Sequence, residues 1–476
     1  MPNVPIKHWF GNNLIKVAII ALGILMAVSF GFFIKSENLV LAFLPFLLVL
    51  TAVYLILIFK YPVFGLYLTM VYCFLLALLS REIGGIQYGI GVEILLLLTW
   101  LATLFYAKIN WPLIKLDLVW LLAVWFIISV LEIANPSGAS IMGWVQEVRS
   151  TALYPLLIVP LALLLIDNKE KVNWALFFVI GMSTLASLNG IKQLYIGPSA
   201  GEQRFLDEGG ALTHVLFGQL RVFSFYTDAG QFGASQAHIC MLCVVLAFCR
   251  TKWWKKVLLL LCAALLFYGM LISGTRGALF ALLVAAFFAL LLSKNYKILL
   301  VGGILVLGFV GMLKFTYLGN SNYQIYRLRT AVDPQDASLN IRIQNQAILR
   351  DYLKSKPFGD GLGVIGTWGK EYNADKFLST VEPDSYWVKV WAMYGIVGLT
   401  IWFSIMMYIL GKCCGIVWMI KDYDLRIKSI ALTAGTAGIL FCSYGNEVMN
   451  AMPSAIILCV SWAVVFKMPW LENPDT

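Results

Sequence analysis

The chain has 476 residues, 61% of them hydrophobic and only 13% charged, with a mean hydropathy of +0.83. Soluble domains carry about 25% charged residues, so this composition excludes a soluble fold. The formal net charge of +10 falls mostly in loops between apolar runs and gives no reason to invoke nucleic acid.

A bilayer core takes about 20 mostly apolar residues per helix, and backbone in lipid must satisfy its own hydrogen bonds. The expected fold is therefore an all-α polytopic membrane protein. In chain order the apolar runs fall at 13–34, 38–58, 62–80, 87–107, 117–134, 150–167, 172–194, 231–249, 256–273, 277–293, 297–317, 384–411, 427–444 and 452–467, which predicts about 14 transmembrane helices. The first run lacks a small-residue cleavage site and reads as a retained signal anchor. The cysteines (Cys73, Cys240, Cys243, Cys249, Cys262, Cys413, Cys414, Cys442 and Cys459) all lie in or beside apolar runs, so a disulfide framework is not expected. Three parts follow: helices over 1–317 with a polar loop at 195–230, a long partly helical loop at 318–383, and the last helices and tail over 384–476.

Short cytoplasmic loops are enriched in Lys and Arg. With the N-terminus inside, one set of loops holds Lys60, Lys108, Lys115, Lys169, Lys171, Arg250, Lys252, Lys255, Lys256, Lys294, Lys297, Lys412, Lys421, Arg426, Lys428 and Lys467. The expected topology is N-in and C-in, with both long loops outside. The outward side then carries Arg81, Arg149, Arg204, Arg221, Arg276, Arg327, Arg329, Arg342 and Arg350. Orientation needs only positive charge. Arginine adds a planar fork that grips phosphate or carboxylate in two places and keeps its charge when partly desolvated. Two readings stay open for this set: an anionic ligand, or ion pairs with loop carboxylates.

Within SGTRGALFALL, Arg276 sits on a tight turn between the ninth and tenth expected helices. There it is either a ligand clamp or a side chain snorkelling to lipid headgroups. The stretch SLNIRIQNQAILRDYLKSKPFGDGLG has helical spacing. Ile343, Ala347, Ile348 and Tyr352 would form one face, with Arg342, Gln346 and Arg350 on a neighbouring one, and Pro357 and the glycines after it would end the helix. Gly361, Gly363 and Gly366 show G-x-G-x-x-G spacing but have no preceding strand, so they read as a turn. Glu382 and Asp384 precede the twelfth expected helix, either as helix caps or as a general base at the membrane surface. Arg221 and Asp228 stand at the mouth of the eighth. Glu147 and Arg149 stand at the mouth of the sixth, where a structural ion pair is an equal alternative. Among the histidines His8, His214 and His238, only His214 is in an outward loop, so no metal cluster is expected.

These pieces in this order resemble the bacterial O-antigen polymerase and O-antigen ligase superfamily. The resemblance rests on SGTRGALFALL, on the R-x10-G spacing from Arg350 to Gly361, and on D-S-x9-G-x-x-G from Asp384 to Gly398, and it covers roughly residues 140–410. It implies a GT-C-class membrane glycosyltransferase of the bacterial inner membrane, with its active site facing the periplasm. The donor would be a polyprenyl-diphosphate-linked glycan and the acceptor a glycan or a lipid, with no metal, cofactor or nucleotide sugar. Membrane lipids and polysaccharide-export proteins would be its neighbours. It also implies that Arg276, with Arg221, Arg342 and Arg350, binds the donor diphosphate; Arg149 joins that set, and Asp384 or Glu382 takes the acceptor hydroxyl's proton, on the reading of the residues themselves. Ligases of the group carry a histidine where this chain has Asp384, so polymerase leads, ligase is the alternative, and a lipid-linked glycan transporter is the third reading.

Overall fold

The computed structural model describes residues 23–24, 27–28, 31, 39–85, 87–107, 109–216, 218–317, 323–330, 337–383 and 385–473. The first expected helix falls almost wholly outside them. The longer helices are α1 (Leu39–Lys60), α2 (Val63–Glu82), α3 (Gly89–Leu104), α4 (Asp117–Leu131), α5 (Ile141–Leu165), α6 (Lys169–Tyr195), α7 (Ala229–Leu246), α8 (Trp253–Ile272), α9 (Arg276–Leu292) and α10 (Tyr296–Phe315). After these come α11 (Ala337–Leu353), α12 (Tyr386–Met419), α13 (Tyr423–Cys442) and α14 (Ser454–Glu472). Among the described residues ten helices are long and apolar enough to cross a membrane, and α3, α9 and the Leu50–Lys60 part of α1 are shorter apolar helices. The protein is an all-α polytopic membrane protein; a two-residue hairpin, Val215–Leu216 with Gln219–Leu220, is its strand content among the described residues.

Among the described residues, those of 1–65 with 98–108 form one compact unit, and those of 66–97 with 109–476 form another. In the first, Phe59 meets Phe105 with ring centroids 6.3 Å apart, and Thr103 Oγ1 donates to the Thr99 carbonyl at 2.7 Å.

In the second unit α7, α13 and α14 are buried on nearly every side, whereas α10 is buried on almost none. Apolar surface gains little by leaving lipid, so such helices associate through close packing, which favours small residues at their contacts. A Cβ on Gly438 of α13 would lie 2.5 Å from the Ala281 carbonyl oxygen of α9, and one on Gly269 of α8 would lie 2.6 Å from Ser187 Oγ of α6. Ser187 Oγ in turn donates to Gln236 Oε1 of α7 at 2.9 Å. A larger residue at Gly438 would drive α13 off the α9 backbone, and one at Gly269 would displace the Ser187 hydroxyl.

The two ends of this unit differ in charge chemistry. At one end lysines meet carboxylates or carbonyls: Lys169 with Asp422 at 3.0 Å, Lys412 with Asp117 at 3.2 Å, and Lys294 donating to the Trp418 carbonyl at 3.0 Å. The ends of α6, α8 and α13 and the starts of α7, α9 and α12 lie at the other, with Arg81, Arg221, Arg276, Arg327 and Arg342, while Arg250 and Arg426 stay with the lysines beside Tyr423.

α5 begins earlier than the expected run at 150–167. Its first turns, Ile141–Val148, lead into a π-turn at Arg149–Leu153. The charges of Glu147 and Arg149 hide this start in the sequence, because each has a partner in another helix.

α12 is broken at Gly395, where φ is +65°, and the glycine-rich loop docks there. The Asp360 amide donates to the Ala392 carbonyl, and the Gly361 amide to the Met393 carbonyl, each at 3.0 Å. Lys356 Nζ and the Tyr352 hydroxyl hold the Asp360 carboxylate from outside, at 2.7 and 2.6 Å. The G-x-G-x-x-G spacing is thus a turn whose glycines take positive φ, fitted backbone to backbone against a broken helix. A Cβ at Gly395 would strike the Pro357 carbonyl oxygen and the Gly359 nitrogen. In addition, Gly395 combines its positive φ with ψ −169°, a region used essentially by glycine alone, and a non-glycine residue held there costs about 1–3 kcal/mol. Gly395→Ala is therefore expected to expel the loop, seen as new proteolytic cleavage between residues 354 and 366. Gly411→Ala in the same helix, where a Cβ meets nothing within 4 Å, should leave cleavage unchanged.

Candidate active site

The SGTRG turn is built from two different uses of glycine. Gly274 has φ +58° and needs the freedom of a residue without Cβ. Gly277 is helical, but a Cβ there would run into Asn446, so its smallness lets the first turn of α9 touch the turn that follows α13. Cys442 Sγ donates to the Gly277 carbonyl at 3.1 Å, closing the same contact. Arg276, half-buried, is the first residue of α9.

Around this point the structure gathers further arginines. Arg221 donates to the Thr213 carbonyl at 3.0 Å and to Thr275 Oγ1 at 3.2 Å, and Thr275 Oγ1 donates on to the Ala229 carbonyl at 2.9 Å. Arg327 donates to the Gly274 carbonyl at 3.4 Å. Arg342 reaches the far side of the same junction, its Nη1 lying 3.6 Å from where a Gly445 Cβ would stand. The N-termini of α7, α9 and α12 meet at this junction, and helix N-termini carry partial positive charge and unpaired amides.

Carboxylates line it as well. Asp228 caps α7, accepting from the Gln231 amide at 2.9 Å. Burial pushes its carboxyl pKa above the ordinary value, the Gln231 and Gly230 amides and Arg221 oppose this, and the nearby Glu447 charge adds to the rise. Glu447 lies in the turn after α13. Its Oε1 accepts from Lys389 Nζ at 2.6 Å and from Asn450 Nδ2 at 2.9 Å. Lys389 also meets Glu147 Oε2 at 3.0 Å, with 7% of the lysine side chain and none of the Glu147 side chain exposed. Thr151 Oγ1 donates to the other Glu147 oxygen at 3.0 Å. Buried charges persist only when paired, and this lysine is paired twice.

The Arg221–Asp228 segment is held from behind by Arg81. Its guanidinium donates to the carbonyls of Ser224, Tyr226 and Thr227 at 3.0, 2.6 and 2.8 Å. It also lies over Phe205 and Phe223, 4.6 and 4.4 Å from their ring centroids. Ser224 is kept at φ +49°, a costly conformation for serine. Gln193 Oε1, which accepts from its amide at 2.9 Å, and the Ala186 carbonyl, which accepts from its hydroxyl at 2.5 Å, share the work. His214 belongs to this packing. It lies edge-on to Phe205 and Phe223, burial pushes its pKa down to about 4, and the imidazole is neutral at physiological pH.

The sequence-predicted residues thus divide. Arg221, Arg276 and Arg342 come together, and Arg327 joins them. Arg149 lies apart, paired with Glu93 and donating to Gln146 Oε1 at 2.6 Å; it does not pair with Glu147, as the sequence had allowed. Arg350 is exposed beside Asp351, at 3.7 Å. Glu382 is exposed and paired with Lys370, and the α12 cap is Ser385, which accepts from the Val388 amide at 3.3 Å. Asp384 lies outside the described residues. On α11, Leu349 and Leu353 are buried and Arg342 partly so, while Ile343, Ala347 and Ile348 are exposed. Glu447 and Asn446, in YGNEVMN, were missed. The signal for Glu447 was Lys389 itself, a lysine within an apolar helix that had to have a buried anion as partner.

Comparison with known proteins follows the same geography. Residues 261–403 match the family described as O-antigen ligase, a stretch that includes Arg276, Arg327, Arg342, Lys389 and the Gly395 break. An O-antigen polymerase of Salmonella muenchen is 24% identical over 302 residues, which span 62% of this chain and 73% of that protein.

Proposed function

We propose that this chain, which belongs to the O-antigen polymerase and ligase superfamily, polymerises polyprenyl-diphosphate-linked oligosaccharide repeat units at the outer face of the bacterial inner membrane. Its membership supports the coarser statement, a membrane enzyme of polysaccharide biosynthesis. The observation that carries the finer one is the meeting of Arg221, Arg276, Arg327 and Arg342 with three helix N-termini. A diphosphate leaving group gathers negative charge as the glycosidic bond breaks, and preorganised donors aimed at that charge lower the barrier. Guanidinium forks match phosphate oxygens, and helix N-termini bind phosphate by their amides. Arg149 and Arg350 fall outside this reading of the diphosphate site.

Three observations bear on polymerase against ligase. The ligase reading is favoured by the description of the matching family, and the polymerase reading by the name of the Salmonella relative and by Asp384 at a ligase histidine position. Purified protein given only a lipid-linked repeat unit should lengthen the chain, with or without EDTA. Product formed only after a second acceptor is added would mean ligase. Loss of turnover in EDTA, restored by a divalent ion, would overturn the metal-independent mechanism.

The proposed orientation has its own test. Reporter fusions at 195–230 and 318–383 should behave as extracytoplasmic, as the lysine distribution requires. Cytoplasmic behaviour of either would put the arginine cluster on the wrong side for this donor.

A further inference from the structure

Transfer needs a group that takes the proton of the attacking hydroxyl. The notable feature of the turn after α13 is that three successive residues serve three parts of the site. Gly445 faces Arg342, Asn446 abuts the first turn of α9, and Glu447 pairs with Lys389. The α12 start is tied to the same turn, since the Tyr386 amide donates to the Ser443 carbonyl at 3.0 Å. Glu447 therefore has little freedom to move relative to the arginines. Its environment is also asymmetric: Lys389 and Asn450 both donate to Oε1, so the proton would go to the other oxygen, Oε2. The side chain is 28% exposed, against none for Glu147. One carboxylate of the pair is thus open to a substrate, and the other is a buried counter-charge.

We propose that Glu447 is the catalytic base and that Lys389, balanced by Glu147, is its positioning residue. The assignment rests on the glycosyl-transfer reading above. In the step, the acceptor hydroxyl oxygen forms a bond to the anomeric carbon of the lipid-linked glycan. The bond from that carbon to the diphosphate oxygen breaks, and its electron pair leaves with the diphosphate, facing the arginines. The hydroxyl proton passes to Glu447 Oε2 and from there to water. Lys389 keeps its proton throughout. Its ammonium holds Glu447 in place before the step, and the second carboxylate, Glu147, keeps the lysine from being left without an anion while Glu447 is protonated.

The test uses the full-length protein and a lipid-linked repeat unit, with kcat and donor KM measured separately. Glu447→Gln should lower kcat by about 10²-fold or more, the scale of a lost general base, with donor KM nearly unchanged. Glu447→Asp, which keeps the charge but draws the carboxylate back, should lose about 10-fold and serves if the glutamine variant does not fold. Lys389→Met combined with Glu147→Gln removes the anchor without leaving a buried charge, and should also lower kcat while sparing KM; a merely structural ion pair would leave kcat alone. Near-normal kcat in folded Glu447→Gln or Glu447→Asp, or a raised KM with kcat unchanged, would overturn the assignment. An inactive wild-type protein that forms no product from any lipid-linked glycan would instead overturn the glycosyl-transfer reading, and this proposal with it.

Discussion

Arg276→Lys is expected to lose turnover almost as completely as Arg276→Ala, by about 10²–10³-fold, the scale of a removed charge-stabilising donor. Lysine would keep the charge at the start of α9 but present a point charge where a planar fork can hold two phosphate oxygens. The position makes the difference large. Gly277 lets Asn446 press on the helix start, Cys442 closes the same contact, and Thr275 is buried and bonded to Arg221 and Ala229. A side chain launched from so fixed a turn has little slack to adapt, so a shorter reach or a changed donor geometry is not absorbed. A residue that only snorkels to lipid phosphates would behave differently, because any long cationic chain reaches the headgroups. Well-expressed Arg276→Lys with near-normal kcat would thus remove Arg276 from the proposed diphosphate site.

The fold was legible because bilayer physics leaves few options: each expected apolar run after the first has its own helix among α1–α10 and α12–α14. The site was legible only in part, and α11 explains why. The spacing groups Ile343, Ala347 and Ile348 on one face but does not say which way that face turns, since an apolar stripe points to the core only in a soluble protein. Next to a bilayer an apolar stripe can equally lie on the outside, and here Arg342 and Leu349 face inward while Ile343 and Ile348 are exposed. Arg342 and Arg350 are eight residues apart on a helix of 3.6 residues per turn. That drift is enough to leave one in the cluster and the other in the open. Charged pairs posed the same difficulty. Glu147 and Arg149 are neighbours in the sequence, yet each is satisfied by a distant residue, Lys389 and Glu93. Residue spacing fixes which face a side chain takes on its own helix, but not which helix comes to meet it.

Lys389→Met alone is expected to be among the most destabilising single substitutions in the protein, by about 3–5 kcal/mol, the cost of leaving a buried charge without its partner. The charge left behind is that of Glu147, whose side chain has no exposure and whose cation is Lys389. Glu447, at 28% exposure, can turn to water and adds less to the loss. Adding Glu147→Gln to Lys389→Met removes the stranded charge and should restore most of the stability, since neutral replacement of a buried pair costs far less than breaking it. The exposed pair Lys412–Asp117, at 3.2 Å with 45% and 32% of the side chains exposed, supplies the contrast. Lys412→Met should change stability by no more than about 1 kcal/mol, as surface pairs do. Thermal unfolding of the purified variants in detergent measures all three. If Lys389→Met melts with the wild type, the buried network does not hold α5, α12 and the turn after α13 together. If the double variant recovers its melting temperature while turnover stays low, stability and catalysis separate at this lysine, because the fold needs only a neutral pair there whereas the reaction needs the cation.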